Sequence, residues 1–267
     1  MQNLAKTSDF KYKNICDFSP YFEYFNPVQT EALQFIDSTN NLVVSSPTGS
    51  GKTEIAEMYM AKSIHENKKS LYLFPLKSLG EEKFYGRWAD PKHSFSSPER
   101  VPKILVTGDY QMTEKRKNWL NVVKLIAATS EMLDHRTRHI QSEKSKWIYD
   151  IGTLIVDEAH LITDGDDEGG GRGHKLETAI MRFTQANPSA RVIFLSATMP
   201  NVQELGDWLQ TLTGRPTDLL QHTYRPCQLN RNFVSYYDGG NAKHRAQYQI
   251  EKCLDLGFSE SEIRVTL

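Results

Sequence analysis

From about residue 41 to residue 213, short apolar, β-branched runs alternate with stretches whose apolar side chains recur every three or four positions. Six of the runs read as strands: Asn41–Ser45, Ser70–Phe74, Ile104–Thr107, Lys124–Ala128, Thr153–Asp157 and Val192–Ser196. Between them Ile55, Met58, Tyr59 and Ala61 share one face of a helix, and Leu176, Ile180 and Phe183 share a face of another. Strands of this length alternating with helices predict an α/β fold, a parallel sheet with helices on both faces. Ligands of such sheets bind beyond the carboxyl ends of the strands, so the loops after these strands are where chemistry is expected. There is no internal repeat, and the one low-complexity patch is the acidic, glycine-rich stretch 164–173.

The first strand runs into Ser46-Pro47-Thr48-Gly49-Ser50-Gly51-Lys52-Thr53, with a helix starting near Glu54. Small residues between strand and helix let backbone N–H groups wrap a polyphosphate, and the helix N-terminus adds its positive dipole end. Lys52 would reach the β- and γ-phosphates of ATP, and the Thr53 hydroxyl would hold Mg2+. Loops of this kind usually open with glycine; Ser46 stands there, small enough to leave the loop open.

About a hundred residues later Leu154-Ile155-Val156 runs straight into Asp157-Glu158-Ala159-His160. Adjacent carboxylates at a strand's end point in different directions and can do different work. Asp157 would bind Mg2+ through water, and Glu158 would orient and deprotonate the attacking water. His160 is either a coupling residue beside them or a satisfied polar side chain.

Composition narrows the picture little. The 267 residues are 39% hydrophobic and 24% charged, which suits a packed core. The net charge of −1 leaves any nucleic-acid contact to a local patch. Cys16, Cys227 and Cys253 lie far apart with no C-x-x-C pair, which argues against a zinc site or a disulfide framework. No apolar run approaches the ~20 residues of a membrane span, and Met1 to Asn14 lacks the apolar centre of a signal peptide. A soluble, intracellular protein without membrane contact is the expectation.

The loop from Ser46 to Thr53, Asp157-Glu158-Ala159-His160 and Ser196-Ala197-Thr198 resemble motifs I, II and III of superfamily-two DExH-box helicases. Phe25-Asn26-Pro27-Val28-Gln29 resembles the glutamine motif that reads adenine upstream of the phosphate loop. The amide of Gln29 can pair with a donor and an acceptor on the adenine edge, and it can equally cap a helix. Further details are similar to the branch of the archaeal repair helicases, the superkiller-type RNA helicases and the spliceosomal unwinding ATPases. They are Pro75-Leu76-Lys77-Ser78-Leu79, Thr107-Gly108-Asp109-Tyr110, Thr129-Ser130-Glu131, Arg172-Gly173 before Leu176-Glu177, Pro200-Asn201, Trp208-Leu209 and Tyr224-Arg225-Pro226. The resemblance spans roughly residues 20 to 230 in the family's order.

It implies the first RecA-like, P-loop NTPase domain of a helicase or translocase. ATP would sit on residues 46–53 with Gln29, and Mg2+ on Thr53 and Asp157, while Glu158, Lys52 and His160 act in catalysis. Single-stranded nucleic acid, DNA or RNA, would contact Pro75, Lys77, Thr107, Gly108, Thr129 and Ser130. Backbone N–H groups, small hydroxyls and Lys77 at a helix start suit phosphate contact without sequence readout; threonine and serine also favour such places as plain caps. Ser196 and Thr198 would couple the nucleotide to that groove. The basic run His135-Arg136-Thr137-Arg138-His139 with Lys144 and Lys146 reads mainly as a solvated face, and the loop 164–171 as a solvated insertion.

Three segments follow: an N-terminal extension (1–20), the RecA-like domain (21–228), and a linker with the possible start of a second RecA-like domain (229–267). The Gln-x-x-Gly-Arg-x-Gly-Arg run that carries arginine fingers in the family's second domain is absent after residue 230. Such fingers contribute ~10³–10⁵ in turnover in comparable nucleotide hydrolases. The chain alone is therefore expected to bind ATP, hydrolyse it slowly and not unwind duplexes, with a second polypeptide as one way to complete the motor. The alternative is a nucleotide-dependent clamp or decoy with little turnover, which would not need Glu158.

Overall fold

In the computed structural model, which describes residues 4–108, 113–162 and 172–227, seven strands form one sheet. They are β1 (Asn41–Ser45), β2 (Lys69–Phe74), β3 (Lys103–Val106), β4 (Leu125–Thr129), β5 (Ile151–Val156), β6 (Arg191–Ser196) and β7 (Thr217–Gln221). The order across the sheet is β3-β4-β2-β5-β6-β1-β7, and every pair is parallel. The α/β fold and the six strands expected from periodicity are present, with ends shifted by at most two residues. β7 was not anticipated; it pairs with β1 from Asn41↔Thr217 to Ser45↔Gln221 and closes that edge. These elements lie in the unit Met1–Arg225; of the other, Pro226–Leu267, only Pro226 and Cys227 are described. Asp109 and Tyr110, the loop 164–171 and the segment 229–267 lie outside the described residues.

Alternation along each strand sorts the core onto two faces. Leu42, Val44, Tyr72, Phe74, Ile155, Ile193 and Leu195 join one apolar cluster, with α1 (Pro27–Gln34) and α2 (Lys52–His65). Val43, Leu71, Leu73, Leu154, Val156, Val192 and Phe194 join the other. That face is covered by α4 (Glu114–Val122), α5 (Ser130–Arg138), α6 (Arg172–Ala186) and α7 (Val202–Thr213). α3 (Lys77–Glu81) is a short helix after β2.

The segment set apart by sequence as an N-terminal extension packs against the first cluster. Phe10, Tyr12, Cys16 and Phe18 are buried there, and the Phe18 ring meets Phe25 edge-on at 5.4 Å between centroids. Tyr12 also donates its hydroxyl to Asp37 at 2.6 Å. In the basic run, Arg136 and Thr137 are buried and Arg138 pairs with Asp134 at 2.7 Å, so these three do not form a free cationic face.

Candidate nucleotide site and strand-end surface

Strand order decides which loops become neighbours. β5, β6 and β1 are consecutive, so the loops after them, carrying Asp157-Glu158, Ser196-Ala197-Thr198 and Ser46–Thr53, share one stretch of the carboxyl edge. β3, β4 and β2 are also consecutive, which sets Thr107, Thr129 and Pro75 side by side on the adjoining stretch.

The phosphate loop is held open by backbone. Gly49 and Gly51 adopt left-handed φ angles of +81° and +91°, and Gly51 is the N-cap of α2. The left-handed φ of Gly51 calls for glycine, and a Cβ there would press on the Gln29 amide. Ser46 and Ser50 are buried and share a hydrogen bond of 2.7 Å between their hydroxyls across the loop. The Lys52 ammonium curls back to donate to the carbonyls of Ser46 (2.9 Å) and Pro47 (3.1 Å). Burial lowers its pKa, and Glu158 and Asp157 oppose that shift.

Gln29 takes the helix-capping role in this structure. Its backbone N–H donates to Asn26 Oδ1 and its Oε1 accepts from the Asn26 backbone N–H, both at 3.0 Å, a reciprocal capping box at the start of α1. The same pair braces the phosphate loop: Asn26 Nδ2 donates to Ser50 O at 2.8 Å and Gln29 Nε2 to Gly51 O at 3.4 Å. Gln29 is only 4% exposed.

A cleft of about 540 Å³ is lined by Thr48, Gly49, Gly51, Lys52, Thr53 and Glu54 on one side and by Asp157 and Glu158 on another. Glu82, Lys83, Gly86 and Arg87 complete its wall, and sequence reasoning singled out none of these four. Asp157 is mostly buried; its Oδ2 accepts from the Tyr72 hydroxyl at 2.5 Å and from Lys83 Nζ at 2.6 Å. Glu158 follows with a left-handed φ of +51°, which is uncommon for a residue with a side chain. That turn separates the two carboxylates, and Glu158 Oε2 lies 3.4 Å from His160 Nδ1.

Beneath the loop, α2 carries a second unforeseen group. Glu57 is fully buried and accepts two hydrogen bonds from Arg87 (2.6 and 2.8 Å) and one from Trp88 Nε1 (2.8 Å). His93 Nδ1 accepts from the Phe95 N–H, so Nε2 carries the hydrogen that faces Glu57 Oε1 at 3.3 Å. Burial pushes the Glu57 carboxyl up, but Arg87 and His93 outweigh it and hold the pKa at about 2. Arg87 reaches Glu54 as well, at 2.9 Å. This clamp ties the phosphate-loop helix to the wall segment 82–89.

On the adjoining stretch, Lys77 begins α3 and Glu81 lies 3.6 Å from its ammonium. Thr129 is the N-cap of α5, its hydroxyl accepting from Met132 N, and Ser130 is buried. Thr107 is buried too, and Gly108 has open space where a Cβ would stand. The Thr129 hydroxyl thus serves as a cap. Within the first stretch, between the carboxylate and phosphate loops, Ser196 Oγ donates to Ala197 O at 2.8 Å and lies 3.0 Å from Met199 Sδ, while Thr198 is exposed. The connection from β6 to the phosphate loop runs through backbone, Ser46 N–H to Ser196 O at 3.2 Å, and not through the Ser196 hydroxyl.

A strand-loop-helix turn and a carboxylate pair facing one cleft at a parallel sheet's carboxyl edge are the arrangement of a RecA-like P-loop NTPase domain. The profile of the DEAD/DEAH box helicases matches residues 26–205, and the chain belongs to that family. Over 237 residues it is 36% identical to the ATP-dependent DNA helicase Hel308 of Pyrococcus abyssi, a match covering 85% of this chain and 29% of that protein. It is 33% identical over 226 residues to the ATP-dependent DNA helicase MER3 of Saccharomyces cerevisiae, covering 80% of this chain and 18% of that one. The chain thus spans less than a third of these relatives. Among solved structures, the DUF1998 helicase MrfA bound to DNA shares the fold with a TM-score of 0.59 and 21% identity, over 76% of this chain and 28% of that one.

Proposed function

We propose that the chain is the ATP- and Mg2+-binding first motor lobe of an enzyme that moves along single-stranded DNA. The observation that carries this reading is the convergence of Lys52, Thr53, Asp157 and Glu158 on one cleft, beside the three strand ends that carry Lys77, Thr107 and Thr129. The names of the relatives, DNA helicases in each case, favour DNA over RNA.

The cleft's donors fit the ligand. Among the described residues Lys52 donates to carbonyls of its own loop, which a triphosphate would replace with stronger, charge-assisted partners. Residues 46–53 would cradle the phosphates, and Gln29 with Asn26 would keep that loop in shape. Thr53 and Asp157 offer the hard oxygen ligands that Mg2+ prefers. When bound, Mg2+ would neutralise charge on the phosphates and position them for attack. Glu158 would orient a water and take its proton, and the nearby His160 would help fix the Glu158 carboxylate. Pro75, Lys77, Thr107, Gly108, Thr129 and Ser130 would bear on the strand through backbone and charge, and Ser196 and Thr198, after β6 between the carboxylate and phosphate loops, would couple the nucleotide to that surface.

Full turnover requires arginine fingers from a second RecA-like lobe closing over the nucleotide. The 267 residues alone would hydrolyse ATP slowly and leave duplexes intact. Steady-state hydrolysis with and without single-stranded DNA, against Glu158→Gln as blank, tests this. Slow turnover abolished by that substitution is expected; equal rates in the two proteins would remove Glu158 as the base. Stimulation by RNA and not DNA would overturn the choice of strand.

A further inference from the structure

Lys83 occupies an unusual place for a lysine. It sits in a single π-helical turn, Glu82–Gly86, that continues α3 directly, and such turns recur at functional positions. Its ammonium lies 2.6 Å from Asp157 Oδ2 and donates at 2.6 Å to the Tyr72 hydroxyl, which itself donates to the same carboxylate oxygen. Tyr72 is fully buried. Asp157 Oδ1 accepts from the Glu158 N–H at 3.1 Å. The carboxylate lining the cleft is therefore met by a protein cation.

We propose that Lys83 is a placeholder cation, a positioning residue that neutralises Asp157 before nucleotide binds and is displaced when Mg2+ arrives with it. The inference rests on the assignment of Asp157 to Mg2+ above. A carboxylate in so closed a place is costly without a counter-charge, and the lysine supplies one until the metal does. Two cations competing for one oxygen weaken each other by the same factor, as thermodynamic linkage requires. Displacement also has a direction. Lys83 rides on the turn that prolongs α3, and α3 begins at Lys77 on the strand-end surface. Metal entry would thereby move the segment joining the nucleotide cleft to the surface proposed for DNA.

The test uses the full 267-residue chain and a fluorescent ADP carrying an N-methylanthraniloyl group, titrated with buffered free Mg2+. Wild type, Lys83→Met and Lys83→Arg are compared, each checked by thermal melting. Lys83→Gln takes the place of the methionine variant should that one not fold. Removing the charge is expected to lower the Mg2+ concentration for half-maximal enhancement of binding by about fivefold or more. Lys83→Arg, which keeps the charge, is expected to stay near wild type. An unchanged half-point in the neutral variants would overturn the proposal. So would weaker ADP binding with and without metal at an unchanged half-point, which would make Lys83 a phosphate contact only. A wild-type chain whose ADP binding ignores Mg2+ would overturn the metal assignment itself, and the proposal with it.

Discussion

Replacing Glu57 with glutamine removes one negative charge from the clamp beneath the phosphate loop and changes little in volume. The structure sets the size of the effect. The Glu57 carboxyl is held at about 2, against 4.5 for a free glutamate. That displacement corresponds to about 3 kcal/mol of stability at neutral pH. Breaking a buried ion pair by removing one partner costs a similar ~3–5 kcal/mol. The low end applies here, because Arg87 keeps Glu54 at 2.9 Å and is partly exposed. At ~2–4 °C per kcal/mol for a domain of this size, Glu57→Gln should melt about 6–12 °C below wild type at pH 7. The sign of the pH dependence follows from the depressed pKa. The contribution is fully present above the unfolded value near 4.5 and is lost as pH falls toward about 2. Urea unfolding from pH 7 down to pH 2.5 should therefore show the two proteins converging below about pH 4.5. Stabilities within about 0.5 kcal/mol at pH 7, the range of ordinary surface substitutions, with parallel pH curves would refute the clamp.

Two further predictions concern the loop and the strand-end surface. Gly51→Ala puts a Cβ at a left-handed φ and against the Gln29 amide, so a loss of ~1–2 kcal/mol is expected. Chemical denaturation reads it, and a neutral result would mean the loop relaxes freely. Lys77→Ala should weaken single-stranded DNA binding and reduce the slope of log affinity against log salt by about one. An unchanged slope in fluorescence anisotropy titrations would place the strand elsewhere.

The parts of this protein legible in its sequence are those whose signal is local. Fully buried parallel strands such as Leu42-Val43-Val44 must be apolar on both faces, so they stand out as runs. The phosphate loop and Asp157-Glu158 each follow such a run directly, and strand order then brings them to one cleft. β7 escaped because it is an edge strand whose Thr217, Asp218 and Leu219 are only half buried, so it lacks that run. Glu57 and Lys83 escaped for a different reason. Both are charged residues that read as solvated positions, and only tertiary placement puts one wholly inside and the other on Asp157. α2 is buried on nearly every face, because the sheet lies on one side and the N-terminal aromatic segment on another. That same packing makes residues 4–20 read as an appendage, since Phe10 and Phe18 have no periodic partners nearby in sequence. The adenine-reading role of Gln29 and the strand contacts of Thr129 rest on motif resemblance; the geometry adds a capping role to each.

The central claim is that Lys52 and the loop around it grip a nucleotide's phosphates. Equilibrium binding of a fluorescent, non-hydrolysable ATP analogue with Mg2+ tests it most directly, comparing wild type with Lys52→Ala and Glu158→Gln. A lysine making charge-assisted bonds to phosphate is worth ~1.5–3 kcal/mol, so Lys52→Ala should bind at least about tenfold more weakly. Glu158→Gln should bind as wild type does. Equal affinity of wild type and Lys52→Ala would contradict the account.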